Sequence, residues 1–285
     1  GPVCAQPFVP APAPEGRGAL AKALVISDVH GNLAALRSVL ESARGWDELV
    51  VLGDLVDYGP RPADVIDLIR SYSPRAVMGN HDNAAAFRVD CMCGEETHWV
   101  SVWFRENVTL RLLDKDDLAY LASLPNRLEL DGALRALAVH GSPSSPLYGY
   151  LYPWLSDDQA SSMLSEPGLR LSSIPLNRSP SGAPRPAYDL YLVGHTHYQL
   201  YRVVRGRAVV NPGSVGQPRD GDPRASYAVV DLDGGAVELR RVRYNVDEVL
   251  RDLEGLGVPE PYMGALKHMF LMASTPPRQQ AHSQA

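Results

Sequence analysis

Two aspartates and an asparagine recur at one interval in the first eighty residues, each closing a short apolar run. Asp28 follows Ala23-Leu24-Val25-Ile26-Ser27, Asp54 follows Leu49-Val50-Val51-Leu52-Gly53, and Asn80 follows Ala76-Val77-Met78-Gly79, with 26 residues from each to the next. That interval suits a strand, a crossover helix and the next parallel strand. Three oxygen donors therefore arrive at the carboxyl edge of one sheet, where α/β proteins build their sites. Histidines accompany them: His30 and His81 beside the first and third, then His140 in Val139-His140-Gly141, and His195 and His197 in Gly194-His195-Thr196-His197. One histidine at a strand end is ordinarily a core or turn residue. Five of eight so placed, alongside two acidic strand ends, describe a mixed imidazole–carboxylate metal site, whose chemistry is metal-assisted hydrolysis.

The elements that must position these residues are legible in outline. The first half alternates: a strand at 22–27, a helix near 32–43 with Leu33, Leu36, Val39 and Leu40 on one face and Asn32 as N-cap, a strand at 48–52, and a helix near 62–71 with Pro62 in its first turn. A strand at 76–79 precedes a mostly helical stretch over 82–122. The second half reads as strands at 126–130, 133–139, 188–193, 198–204, 207–210, 225–231 and 236–243, with Asp233-Gly234-Gly235 as a hairpin turn. Helices are expected at 156–164, 246–256 and 262–272. Residues 141–186, rich in Ser, Pro and Gly, read as an insertion or lid. The organisation expected is a disordered segment at 1–18, one domain over 19–273 built from two packed sheets with helices outside, and a disordered tail at 274–285.

Composition narrows the partners. A net charge of −6 argues against coating nucleic acid or an anionic membrane, and no apolar run has the length of a membrane span. Residues 1–18 lack the cationic start and apolar core of a secretory signal, and three cysteines do not make a disulfide framework, so a cytoplasmic setting is expected.

The ordered set Asp28-x-His30, Gly53-Asp54-x-x-Asp57, Gly79-Asn80-His81-Asp82, His140-Gly141 and Gly194-His195-x-His197 resembles the calcineurin-like metallophosphoesterases over residues 22–245. Ser27 to Asn32 and Asn211-Pro212-Gly213-Ser214-Val215-Gly216 resemble its small prokaryotic phosphodiesterase branch. The resemblance implies an α/β fold, a four-layer αββα sandwich of two mixed sheets flanked by helices. It implies two divalent transition metal ions, manganese foremost and Fe, Zn, Ni or Co as alternatives. Asp28, His30 and His197 would hold one, Asn80, His140 and His195 the other, and Asp54 would bridge them. A hydroxide shared by the ions would attack phosphorus in a phosphate diester. His81 would stabilise or protonate the leaving oxygen, with Asp57 orienting it, although a helix or turn cap accounts for Asp57 equally well.

The implied substrate is a small phosphate ester, nucleotide-like in one version. Phosphomonoester or protein phosphatase activity is the alternative, and a non-catalytic scaffold of the same fold a remoter one. The protein phosphatases carry arginine after the position of Asp57 and glutamate after that of His81, whereas this chain has Tyr58 and Asp82. Outside the set, Arg219 and Arg224 are expected in surface salt bridges, with phosphate contact as the alternative. Cys91 and Cys93, near His98, are read as incidental thiols rather than a metal or redox site. Gly213 and Gly216 are candidates for close backbone approach. The aromatic run Tyr148, Tyr150, Tyr152 and Trp154 is expected to pack the 141–186 region onto the body, with base stacking as the alternative.

Overall fold

The computed structural model describes residues 22–130, 132–165 and 188–277. The expected disordered segment at 1–18, residues 166–186 of the insertion and the end of the tail lie outside these. The strands are β1 (Lys22–Ile26), β2 (Glu48–Val51), β3 (Arg75–Ala76), β4 (Arg127–Leu130), β5 (Ala136–Val139), β6 (Leu190–Leu192), β7 (Gln199–Val204), β8 (Arg207–Pro212), β9 (Ala225–Asp231) and β10 (Val237–Val242). The helices are α1 (Leu33–Ser42), α2 (Pro62–Ser71), α3 (Asn80–Phe87), α4 (Glu95–Phe104), α5 (Leu110–Leu112), α6 (Lys115–Ser123), α7 (Asp157–Met163), α8 (Val246–Gly255) and α9 (Tyr262–Met272). A π-helical turn, Arg105–Thr109, joins α4 to α5.

Two mixed five-stranded sheets result, ordered β10-β9-β1-β2-β3 and β4-β5-β6-β8-β7. The two-residue period of the strands sorts their side chains into layers. Ala23, Val25, Val50 and Leu52 meet Ala136, Ala138, Leu190 and Leu192 of the other sheet in a core between the sheets. Leu24, Ile26, Leu49 and Val51 point the other way, against Leu36, Val39, Val65 and Ile69 of α1 and α2. Leu137, Val139 and Tyr191 do the same on the second sheet, packing on Ala160 of α7 and on Leu164. Helices therefore cover both outer faces, and the αββα sandwich is the observed architecture.

Local signals held where capping chemistry was explicit. Asn32 accepts the Ala35 N–H at 3.0 Å and starts α1, and Pro62 opens α2. The turn after β9 is closed by Asp231, whose side chain accepts the N–H groups of Asp233 and Gly234. The expected 76–79 strand is corrected: β3 covers only Arg75–Ala76. Val77 still donates to Val51, but the Met78 N–H turns to the Pro125 carbonyl, and Asn80 is already the first residue of α3. The third donor thus sits at a helix start rather than a strand end.

Candidate metal centre

Six of the seven expected ligands lie in loops or turns after core strands, Asn80 opens α3, and several of the loops are wound unusually. Asp28, His30, Asp54, His195 and His197 all have positive φ, between 48° and 66°, as do Asp57 at 69° and Tyr58 at 63°. Such conformations cost about 1–3 kcal/mol each and persist only where surrounding structure imposes them. Here the imposition is visible: Asp28 N–H is held by the Gly53 carbonyl, His30 by Asp54 and Gly31 by Leu55. Gly79 passes so close to Asp54 that a Cβ there would lie 2.1 Å from Oδ1.

The loops bring the carboxylate and imidazole donors together as two groups, Asp28 with His30 and His197, and Asp54 with His140 and His195. Nδ1 of His30 lies 2.9 Å from the Val56 carbonyl, that of His140 2.7 Å from Leu52, and that of His197 against Gln217. Donation to a carbonyl fixes the proton on Nδ1 and turns the Nε2 lone pair inward. Those lone pairs then converge: Nε2 of His30 and His197 are 3.3 Å apart, and Nε2 of His140 is 3.0 Å from Nδ1 of His195. Asn80 joins the second group, its Oδ1 2.9 Å from His140 Nε2. Asp54 Oδ2 lies 3.3 Å from His140 Nε2 and 3.8 Å from His30 Nε2, reaching both groups. Its Oδ1 is occupied by the His81 N–H at 2.8 Å.

This donor set fits cations. Acceptors facing acceptors are repulsive without positive charge between them, and Asp28 Oδ1 is buried with no hydrogen-bond partner among the described residues. An unsatisfied buried group costs about 1–3 kcal/mol. The titration of the site tells the same story. Burial opposes charge on Asp54, yet His140, His81 and His30 around it hold its carboxyl well below the ordinary range. Burial also opposes a charged His140, but Asp54 and Asp28 lift it to about 9, so a proton competes with a cation for its Nε2, whereas burial takes His30 down to about 3 and keeps that imidazole neutral.

His81 stands beside the groups with its Nδ1 2.8 Å from Asp57 Oδ2. Asp57 is fully buried and bound to a side chain that the sequence reading missed, Arg105, whose Nε donates to Oδ2 at 2.9 Å and Nη2 at 2.5 Å. Thr109 Oγ1 donates to Oδ1 at 2.8 Å. Asp57 makes no cap. The available signal was a polar repeat, Ser101, Arg105 and Thr109, inside a helix whose neighbours Val100, Phe104 and Val108 are core. Asp82, unassigned from sequence, accepts the N–H groups of Asp54, Leu55 and Gly79 and so fastens the Asp54 loop to α3.

The weaker candidates separate cleanly. Arg224 forms the surface pair expected of it, with Asp222. Arg219 differs: its N–H meets the His197 carbonyl at 3.4 Å, and its guanidinium binds the Gln217 side-chain oxygen at 2.9 Å. Burial, and then the Arg219 charge, hold His197 below its ordinary value, so this arginine acts on the centre. Cys91 and Cys93 are free thiols with Sγ atoms 2.9 Å apart, and the Cys91 carbonyl receives the Asn80 Nδ2–H at 2.7 Å. His98 pairs with Asp90 at 2.9 Å, and both lie within 4.8 Å of the Cys91 thiol. Tyr150, Tyr152 and Trp154 stack in series, with Tyr150 against His195 at 4.0 Å between ring centroids, so the run packs the loop onto the site. Gly216 presses on the first loop; a Cβ there would lie 1.9 Å from the Val29 carbonyl oxygen.

Paired sheets with histidine, carboxylate and amide donors on converging loops define a metallohydrolase-type centre. The chain belongs to the calcineurin-like phosphoesterase superfamily, whose domain model matches residues 22–235. Members of this family are metal-dependent hydrolases of phosphoric esters. A metallophosphoesterase structure from Sphaerobacter thermophilus is 34% identical, with a TM-score of 0.66 over 86% of this chain and 98% of that one. Uncharacterized protein MJ0912 of Methanocaldococcus jannaschii is 28% identical over 83% of this chain and 93% of its own length. The phosphodiesterase YfcE of Escherichia coli is 28% identical over 74% of this chain and 88% of its own length. No helix among the described residues is long and apolar enough to cross a membrane.

Proposed function

We propose that the chain is a dinuclear metal-dependent phosphodiesterase acting on small, nucleotide-like phosphate diesters. The observation that carries this is the convergence of the Nε2 atoms of His30, His140 and His197 on the carboxylates of Asp28 and Asp54, of which Asp54 Oδ2 reaches both groups. Asp28, His30 and His197 would hold one divalent ion, Asn80, His140 and His195 the second, and Asp54 both. Mixed nitrogen and oxygen donors suit manganese, with iron, zinc, nickel or cobalt as alternatives. Bound there, the ions would supply positive charge to the phosphoryl oxygens and acidify the attacking water.

The protein's own residues do the rest. As the bond from phosphorus to the water oxygen forms, the water releases a proton to solvent and the bond to the leaving alcohol breaks; His81 gives its Nε2 proton to the departing oxygen and is reprotonated from solvent. Nδ1 is committed to Asp57 and cannot serve that purpose. Diester preference follows from position 58, where a fully buried tyrosine replaces the arginine that would grip a terminal phosphate dianion. The YfcE relative is named a phosphodiesterase, which supports the same reading. One observation favours a second: Arg219, free of carboxylate partners among the described ion pairs, would suit the extra charge of a monoester. The free thiols fit a reducing, cytoplasmic setting.

The test is hydrolysis of bis-p-nitrophenyl phosphate against p-nitrophenyl phosphate by metal-stripped protein reconstituted with Mn²⁺. A kcat/KM at least ~10-fold higher for the diester is expected, which corresponds to about 1.4 kcal/mol. Monoester preference would transfer the assignment to a phosphatase relying on Arg219.

A further inference from the structure

Arg105 is nearly fully buried, and among the described residues its side-chain hydrogen-bond contacts are with Asp57, Ser101 and His81 rather than with an expected metal ligand. It sits where α4 passes into the π-helical turn, and π turns inside α-helices are frequent at functional sites. The wider turn has a geometric effect. On a regular helix, residues four apart drift steadily around the axis; the π turn offsets that drift and keeps Thr109 on the face of Ser101 and Arg105. All three side chains converge on one target. Arg105 Nε and Nη2 donate to Asp57 Oδ2, Nη2 also donates to Ser101 Oγ at 2.9 Å, and Thr109 donates to Asp57 Oδ1. Ser101 Oγ is in turn 3.3 Å from His81 Nδ1.

Both carboxylate oxygens of Asp57 are therefore occupied, and the group cannot rotate away from His81. Two donors of one planar guanidinium hold Oδ2 in place, and Thr109 on Oδ1 fixes the orientation of the carboxylate. An ordinary buried ion pair would need only one contact. We propose that Arg105 is a positioning residue that holds the Asp57–His81 pair in the orientation for proton delivery to the leaving oxygen, and so lets the enzyme expel strongly basic alcohols. The proposal rests on the phosphodiesterase reading above. Its consequence concerns the leaving group: a p-nitrophenolate departs without a proton, an alkoxide does not.

The measurement is kcat/KM for the p-nitrophenyl, phenyl and ethyl esters of thymidine 5′-phosphate, using Mn²⁺-loaded wild type, Arg105→Gln and Arg105→Lys, with metal content and thermal melting on the same preparations. Arg105→Gln is expected to lose at least ~100-fold on the ethyl ester, the scale of lost proton transfer, and less than ~10-fold on the p-nitrophenyl ester. Arg105→Lys keeps the charge without the fork and is expected to fall between, with the same dependence on leaving group. If the glutamine variant does not fold, the lysine variant decides alone. Equal losses across the three esters at full metal content, or no loss, would overturn the proposal as a merely structural or silent role. Wild-type protein that cleaves none of the three would instead overturn the phosphodiesterase reading, and this with it.

Discussion

The Asp57 side chain is held by His81, Arg105 and Thr109, and its charge state links the site to stability. Burial disfavours its ionised form, but Arg105 and His81 outweigh burial and hold its carboxyl below the ordinary range. A carboxyl depressed in the folded state contributes stability that is present above its unfolded value, about 4, and lost as pH falls through the folded value. Asp57→Asn should therefore melt with a shallower dependence on pH below ~4 than wild type. At neutral pH it should be the less stable protein, because Arg105 is left buried and unpaired. Thermal midpoints of both proteins across that range check the prediction. Parallel curves would mean that the Asp57 carboxyl titrates normally.

At the scale of elements, the loops leaving the strands make the site. The loops are tied to their neighbours through backbone hydrogen bonds, and those after β1, β2 and β6 are forced into left-handed turns at Asp28, His30, Asp54, His195 and His197. Gly216 illustrates how little room is left: the loop after β8 packs its Cα against the Val29 carbonyl, between Asp28 and His30. The Gly216→Ala variant has to displace one loop or the other. A loss of about 1–3 kcal/mol is expected, the usual cost of overpacking, together with reduced metal content after reconstitution. Differential scanning calorimetry and elemental analysis read the two effects. A variant that melts like wild type and keeps its metal would show that the first loop yields easily.

The whole molecule places the centre across its two sheets. Asp28, Asp54 and Asn80 come from loops of the β1-β2-β3 half, and His140, His195 and His197 from loops after β5 and β6 of the other sheet. Bound ions would cross-link the sheets beyond what the core between them achieves. Ligand that binds only the folded state at a hundred times its Kd adds about 2.7 kcal/mol. Chelation should therefore lower the melting temperature by several degrees, at ~2–4 °C per kcal/mol for a chain of this order of size, and Mn²⁺ should restore it. An unchanged melt after verified stripping of metal would separate the site from the stability of the fold.

Much of this protein is local and periodic, and those parts were legible in the chain itself. The spacing of Asp28, Asp54 and Asn80, the alternating strands, the cap at Asn32, Pro62 at the start of α2 and the glycine turn after β9 depend on neighbours in sequence. The seven candidate ligands and the αββα layering follow from such patterns and from the resemblance they carry. What the tertiary structure decided was long-range. Only the folded chain sets Arg105 of a distant helix on Asp57, because a buried arginine in an amphipathic helix reads as surface until its partner arrives. Only it tells Arg219, turned to the centre, from Arg224, paired at the surface. It also ended β3 early, since the Pro125 carbonyl that captures the Met78 N–H comes from a loop that no local pattern brings near. Sequence periodicity fixes which face of an element is apolar; which polar groups meet across faces depends on packing that closes contacts many residues apart.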